Sequence, residues 1–133
     1  MDAMEISASA LTAERTRMNL ISSNLANANS TRTAEGGPYK RKDAVFATVL
    51  DKAEKEMNAG VEVVDIIEDR SSPRLQYDPV HPDANPQGYV AYPNVNVVEE
   101  MADMIAATRA YEANLTAMKA GMSMQMKALE ISK

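Results

Sequence analysis

The sequence predicts a mainly α protein with a small β element, in which long N- and C-terminal helices pair as an antiparallel, coiled-coil-like hairpin. Two observations support this prediction. The chain has 5 Gly and 6 Pro, and all of them except Gly121 lie between Gly36 and Pro93, so the helix breakers are confined to the middle. Apolar residues recur every seven positions at both ends of the chain, which is the period of a coiled-coil seam.

The first segment, about residues 3–29, is predicted to form one helix roughly 40 Å long. Asn24, Asn27 and Asn29 weaken the helix propensity at its end, so the helix should stop near residue 29. Its apolar stripe consists of Met4, Leu11, Met18, Ile21 and Leu25.

The middle of the chain is predicted to be rich in turns and short strands. Residues 61–69, 74–77 and 88–92 favour strands because they are rich in β-branched and aromatic residues. Residues 44–58 contain Ala, Leu, Lys and Glu and are predicted to form a short helix. A sheet of two or three strands is barely stable alone, so it must pack on the terminal helices.

From about Asn96 to the end the chain is again predicted to be helical, over more than 50 Å. Glu99 and Glu100 fall in the first turn, where the helix dipole favours acidic residues. The apolar stripe, widened by Val98 and Met126, consists of Met101, Met104, Ile105, Tyr111, Leu115, Met118, Met122 and Leu129.

Two helices with such seams do not cover all of their own apolar surface. Outer positions such as Ile105 and Met126 stay uncovered in a simple hairpin, which suggests that other subunits supply the rest. A self-sufficient α+β domain with shorter, bent helices explains the same periodicity. The periodicity alone does not choose between the two.

Composition excludes several kinds of chemistry. The 133 residues include no Cys and one His, which removes disulfide scaffolds, thiolate sites and the usual Ser-His-Asp triad. With 14 basic and 19 acidic residues the net charge is -5, which argues against a globally basic nucleic-acid binder. The sequence has no run long enough to insert into a membrane, and it predicts no cofactor.

Three clusters of charged residues have a functional and a simpler interpretation. The run Lys40-Arg41-Lys42 fits a contact with nucleic acid or an acidic surface, but a solvated loop is favoured. Asp78, His81 and Asp83 fit a metal site, but a solvated Pro-rich loop is again favoured. The carboxylates near Glu99 fit a catalytic pair, but a charge cluster at a helix N-terminus is preferred. No catalytic or metal site is therefore predicted.

The N-terminus lacks the basic start and apolar run of a cleaved secretory signal. The protein is therefore expected to be cytoplasmic or to leave the cell by a route without a cleaved signal.

Several strings at the two ends of the chain are highly specific. Residues 21–29 read ISSNLANAN and residues 36–39 read GGPY, while residues 93–101 read PNVNVVEEM and residues 109–114 read RAYEAN. Together they resemble the flagellar axial family of rod, hook and hook-associated proteins. The resemblance covers nearly the whole chain and is weakest over residues 44–60.

The resemblance implies a structural subunit of the flagellar basal-body rod and not an enzyme. Such subunits leave through the flagellar type III export apparatus without a cleaved signal and build a periplasmic drive shaft that transmits torque to the hook. Implied partners are copies of the chain itself, the rod proteins FlgB, FlgF and FlgG, and FliE. Terminal helices in this family are mobile in the free monomer and order on assembly.

The resemblance also implies a division of the chain into an axial helix over residues 1–30, a middle region over residues 31–93 and a second axial helix over residues 94–133. Subunit packing is expected at the apolar stripes and at the polar residues of the shared strings. The expected packing residues are Met4, Leu11, Met18, Ile21, Leu25, Asn24, Asn27, Asn29, Asn94, Asn96, Met101, Met104, Ile105, Arg109, Tyr111, Asn114, Leu115, Met118, Met122 and Leu129.

Two other functions compete with this one. A cytosolic coiled-coil adaptor or export chaperone has the same helical seams and remains in the cytosol. An enzyme uses the acidic cluster of Glu99, Glu100 and Asp103.

Overall fold

A computed structural model of the chain describes residues 3–50 and 59–132. In chain order the elements are α1 (Ala3–Ala26), β1 (Lys42–Leu50), β2 (Ala59–Glu68), β3 (Arg74–Tyr77), β4 (Tyr89–Tyr92) and α2 (Val97–Ile131). The strands form two separate two-stranded sheets, β1–β2 and β3–β4, between the two long helices.

The two helices run antiparallel along each other. Near the start of α1, a Cβ atom built on Gly121 of α2 would lie 3.0 Å from Cγ of Met4. Further along α1, the Arg15 guanidinium donates a 3.4 Å hydrogen bond to the Tyr111 hydroxyl. Partner positions on α2 thus fall as positions on α1 rise. The predicted fold class, a helical hairpin with a strand-rich middle, is confirmed.

The two helices differ in length, so the last part of α2 has no partner among the described residues of α1. Helix α1 has 24 residues and α2 has 35. Because Met4 lies beside Gly121, the part of α2 from Met122 onward extends about 15 Å beyond the described start of α1. Within the described residues, neither helix is long and apolar enough to cross a membrane.

The β1–β2 ribbon lies along α1. Its antiparallel register runs from Lys42 opposite Glu68 to Leu50 opposite Ala59, and it is interrupted by a bulge between Val45 and Phe46. The Val61 amide donates a 3.0 Å hydrogen bond to Oγ of Ser9. The ribbon thereby gains the helical support that an isolated pair of strands needs.

The short helix predicted over residues 44–58 is wrong over its first part, since residues 42–50 form strand β1. Residues 51–58 lie outside the described part of the chain. The cause is pairing with β2: Val45, Phe46, Thr48 and Val49 are β-branched or aromatic and fit a pleated surface. This tertiary contact outweighs the helix propensity of the neighbouring Ala and Leu.

The β3–β4 hairpin confirms the strands predicted over residues 74–77 and 88–92. Its register pairs Arg74 with Tyr92 and Tyr77 with Tyr89. Val90 points inward and is fully buried, while the rings of Tyr77 and Tyr89 meet edge-to-face 5.4 Å apart on the exposed side. The strand predicted over residues 61–69 is likewise confirmed by β2.

Replacement of Gly88 by Ala is expected to lower the free energy of unfolding by about 1–3 kcal/mol, because Gly88 has a left-handed backbone and no room for a side chain. Its φ is +88°, and a Cβ atom there would lie 2.8 Å from Cε2 of Tyr77 and 3.3 Å from Cβ of Pro79. The loss is measured by urea unfolding followed by circular dichroism.

Gly37→Ala is the matched control for Gly88→Ala. Gly37 has a φ of +74° but no atom within 4 Å of a built Cβ, so its replacement introduces backbone strain without the clash. The control should lose less stability than Gly88→Ala. Equal losses would show that contact with Tyr77 contributes nothing.

Candidate assembly interface

A buried polar junction joins the two helices to the β1–β2 ribbon. Asn24, near the end of α1, is fully buried. Its Nδ2 donates to the Lys42 carbonyl oxygen at 2.9 Å, and its Oδ1 accepts from the Lys42 amide at 3.0 Å. The Tyr39 hydroxyl donates to the same Oδ1 at 2.7 Å. Asn24 thus binds the start of β1 as another strand would.

Glu100 completes the junction from the first turn of α2. Its side chain is only 1% exposed, although it carries a charge. One carboxylate oxygen accepts a 2.5 Å hydrogen bond from Nε of Arg41, and the other accepts a 3.2 Å bond from Nδ2 of Asn24. Since a buried carboxylate is costly without partners, these bonds are what permit Glu100 to be there.

Arg41 is surrounded by carboxylates. Besides Glu100 it lies 3.5 Å from Asp43, 3.8 Å from Asp69 and 4.0 Å from Asp103. Burial by itself lowers the pKa of Arg41, but the hydrogen bond and charge of Glu100, with Asp43 and Asp69, raise it above its ordinary value. Arg41 therefore stays charged and offsets the charge of the buried Glu100.

Asn94, which precedes α2, forms hydrogen bonds to the residues just before β1 and just after β2. Its Oδ1 accepts from the Arg41 amide at 3.0 Å, and its Nδ2 donates to the carbonyl oxygens of Asp69 and Ser71 at 3.1 Å each. Hydrogen bonds from Ser71, together with the Arg41 charge, lower the pKa of Asp69. The junction therefore includes the end of β2 as well as its partner strand.

Two interpretations of the charged clusters need correction. Arg41, in the run interpreted as a solvated loop, is half-buried and paired with Glu100. Glu100, interpreted as part of a helix N-terminal charge cluster, is instead a buried member of the junction. The side chain of Asn96 caps α2, because it accepts from the amides of Val98 and Glu99. The helix dipole alone therefore does not explain the acidic cluster.

The Pro-rich loop after β3 is bound to the segment after α1. Asp83 accepts hydrogen bonds from the Thr31 hydroxyl at 2.7 Å and from the Arg32 guanidinium. The Thr31 bond, with the Arg32 charge, lowers the pKa of Asp83. Nδ1 of His81 accepts from the Asp83 amide at 3.0 Å. Asp83 and His81 therefore have structural partners and are not simply solvated.

The structure separates the expected packing residues into two groups. Those that are buried or half-buried within the single chain are Met4, Leu11, Met18, Ile21, Leu25, Met104, Tyr111, Leu115 and Met118. The apolar residues that remain exposed are Met101, Ile105, Met122 and Leu129. Ile105 and Met126 are uncovered as predicted, with 57% and 63% of their surface exposed.

The polar packing residues expected from residues 21–29, 93–101 and 109–114 have different positions in the fold. Asn24 and Asn94 belong to the junction and Asn96 caps α2, whereas Asn27 and Asn114 donate to carbonyl oxygens four residues earlier in the chain. Asn29 and Arg109 are exposed. Among the three asparagines of residues 21–29, only Asn24 is buried.

Sequence reasoning missed the ion pair of Arg41 with Glu100 and the hydrogen bond from Tyr39 to Asn24. Arg41 stands between two lysines, and Glu100 follows another glutamate, so neither differs in type from its neighbours. Only helical phase separates Glu100, which faces inward, from Glu99, which is exposed. One signal was available: Glu100 lies one helical turn before Met104, on the same inward-facing side of α2.

Curated proteins similar to this chain are flagellar rod proteins. "Flagellar basal-body rod protein FlgC" of Bacillus subtilis (strain 168) is 46% identical, over 98% of this chain and 96% of the relative. The proteins of the same name from Borreliella burgdorferi and Escherichia coli O157:H7 are 42% and 40% identical, over 96% and 98% of this chain and 94% and 96% of those relatives.

Two family models match the ends of the chain, where the helices lie. Residues 4–32 match "Flagella basal body rod protein", and residues 87–131 match "Flagellar basal body rod FlgEFG protein C-terminal". The first match covers α1, and the second covers β4 and α2. With identity of this level over nearly the full chain, the protein belongs to the FlgC family of flagellar basal-body rod proteins.

Proposed function

We propose that this protein is a subunit of the proximal rod, the part of the axial drive shaft that transmits torque from the flagellar motor to the hook. Its helical hairpin polymerises with neighbouring hairpins along the axis, and burial of exposed apolar surface drives assembly. The observation that supports this most directly is the set of large apolar residues left exposed along α2 in the single chain.

The accessible surface supports a protein that is completed by partners. The chain exposes 9363 Å², whereas a compact monomer of 14.5 kDa exposes about 6,900 Å². Among the described residues, the aliphatic side chains that are buried are few and mostly small: Ala13, Ile21, Ala28, Val90, Val95 and Ala107. Such a chain gains more from association than from further folding of its own.

The partners of the rod subunit follow from family membership. Self-assembly and association with other rod components are properties of the family. The specific neighbours that we propose are FlgB, FlgF, FlgG and FliE, with the flagellar type III apparatus as the route of export. The proposed location is the periplasmic part of the basal body, reached without a cleaved signal peptide.

The proposed roles differ between the ends and the middle of the chain. Residues 1–30 and 94–133 build the axis, and residues 31–93 surround it. The junction of Asn24, Arg41 and Glu100 supports this division, because it binds the start of the middle region to both helices at once. Torque applied to the axis is then shared by the strands through this junction.

Isolation of basal bodies tests the proposal. A tagged chain that restores swimming to a strain lacking its own gene should co-purify with basal bodies and be removed from them only by conditions that dissociate the rod. A chain that stays in the cytosol and is missing from purified basal bodies would instead fit the adaptor or chaperone and would refute the rod function.

A further inference from the structure

A carboxylate oxygen buried on α1 accepts no hydrogen bond. Among the side chains that the structure describes, this oxygen, Oε2 of Glu14, is the one buried polar atom without a hydrogen-bond partner. Nη1 of Arg17 lies 3.6 Å from it, which is beyond hydrogen-bonding distance. Since the Glu14 side chain is only 14% exposed, its Oε2 loses hydration in the folded chain without gaining a hydrogen bond.

Glu14 lies near the middle of α1, on the face that packs against the rest of the chain. Residues seven apart share one face of a helix, and the residues seven positions before and after Glu14 are Ser7 and Ile21. Both are buried, with 8% and 4% of their surface exposed. Helix α1 packs against α2 and both strands of the β1–β2 ribbon, so these elements cover the row. Glu14 thus occupies a position that favours an apolar residue.

The ion pair of Glu14 with Arg17 does not favour docking of α1. Arg17 is three residues later on the same helix, so the two charges are neighbours whether or not α1 is docked. Docking therefore removes water from Oε2 and gives it no hydrogen bond in return. Within Ala3–Ala26, Ile21 is the one buried residue with a large apolar side chain, so apolar burial offsets this cost only in part.

The C-terminal end of α1 is held by the polar junction. Asn24 is fully buried and forms hydrogen bonds to the Lys42 backbone and to Glu100. It lies ten residues after Glu14, or about 15 Å along the helix. Any opening of α1 that Glu14 promotes is therefore expected to stop at the junction.

We propose that Glu14 is a built-in weak point, which lets the part of α1 before the junction detach from the folded chain and redock. Detachment hydrates Oε2 of Glu14 and exposes the buried row at Ser7, while Asn24 holds the other end of the helix. The start of α1 is then the first part of the folded chain to open. This inference concerns the single chain and goes beyond the proposed rod function, so either can fail without the other.

The reactivity of a buried thiol measures this opening, because the chain has no Cys of its own. Ser7→Cys is nearly isosteric and places a thiol in the row that detaches, whereas Ala28→Cys places one just beyond the junction. Both positions are buried, with 8% and 6% of their surface exposed. Iodoacetamide should modify the folded Ser7→Cys chain at least about tenfold faster than the Ala28→Cys chain, since local detachment exposes only the first thiol.

Glu14→Met should slow the modification of Ser7→Cys about tenfold, because it removes the unsatisfied oxygen and leaves an apolar side chain of similar length in the row. The rate for Ala28→Cys should change by less than about twofold, because the junction is untouched. Glu14→Gln removes the charge and keeps the shape, so it should slow Ser7→Cys by a smaller factor, about threefold.

Glu112→Met is the matched control, since it removes the same charge from an exposed position of α2. It should leave both rates within about twofold of those in the parent chain. An unchanged rate for Ser7→Cys in both Glu14 variants would overturn the weak point. Equal slowing of Ser7→Cys and Ala28→Cys would show that the chain opens as a whole and would overturn the detachment of α1. Circular dichroism establishes that each variant is folded like the parent chain.

Discussion

Glu100→Ala is expected to destabilise the folded chain by about 3 kcal/mol or more, because removal of one partner from a buried ion pair leaves the other charge without compensation. Arg41 loses its 2.5 Å hydrogen bond, and Asn24 loses one of its acceptors. The loss is measured from urea unfolding of the purified chain by circular dichroism. The variant should also be recovered less in basal bodies.

Glu99→Ala is the matched control, since it removes the same charge from the same helix turn. Glu99 is exposed, so its loss should cost only about 0.3–1 kcal/mol, the usual value for an acidic residue near a helix N-terminus. A double-mutant cycle of Arg41→Ala and Glu100→Ala should give a total loss well below the sum of the single losses. Equal effects of Glu99→Ala and Glu100→Ala would refute the structural importance of the junction.

Met101→Asp is expected to abolish incorporation into the rod while leaving the single chain folded. Met101 is 54% exposed, so a charge there costs the monomer about 0.5 kcal/mol or less. In an apolar contact with a neighbouring subunit the same charge would be desolvated at a cost of several kcal/mol. Swimming in soft agar and the amount of the chain in purified basal bodies measure the effect.

Leu115→Asp should also abolish incorporation into the rod, but for a different reason. Leu115 is half-buried on the inner stripe of α2, so its replacement destabilises the monomer itself, by about 1–3 kcal/mol. Val80→Asp is the control for both, because Val80 is 89% exposed and lies in the loop after β3. Normal swimming by a strain with both Met101→Asp and Leu115→Asp would contradict the assembly role of α2.

Periodicity predicted the helices and strands well where the local sequence and the tertiary contacts agree. The helical ends and the strands β2, β3 and β4 have both strong patterns and suitable partners. β1 was missed because its first residues are compatible with either helix or strand, and pairing with β2 decides between them. The partners of these first residues lie too far along the chain for local propensity to reveal them.

The candidate interface was predictable only in part. Periodicity placed Ile105 and Leu129 on the apolar stripe of α2. It did not show whether α1 covers them. Coverage depends on where α1 starts against α2, and this register is set by contacts such as Met4 against Gly121. The same register leaves Leu115 half-buried and Leu129 exposed in the single chain.

By itself the sequence determined the two helical ends, the strand-rich middle and, through the shared strings, the family. These follow from local propensities, from periodicity and from residues adjacent along the chain. Only the tertiary structure decided that the half-buried Arg41 and the buried Glu100 are partners rather than members of two solvated charge clusters. The physical reason is that burial and charge pairing depend on distances across the fold, and residues 41 and 100 meet only after α1, β1 and α2 have packed.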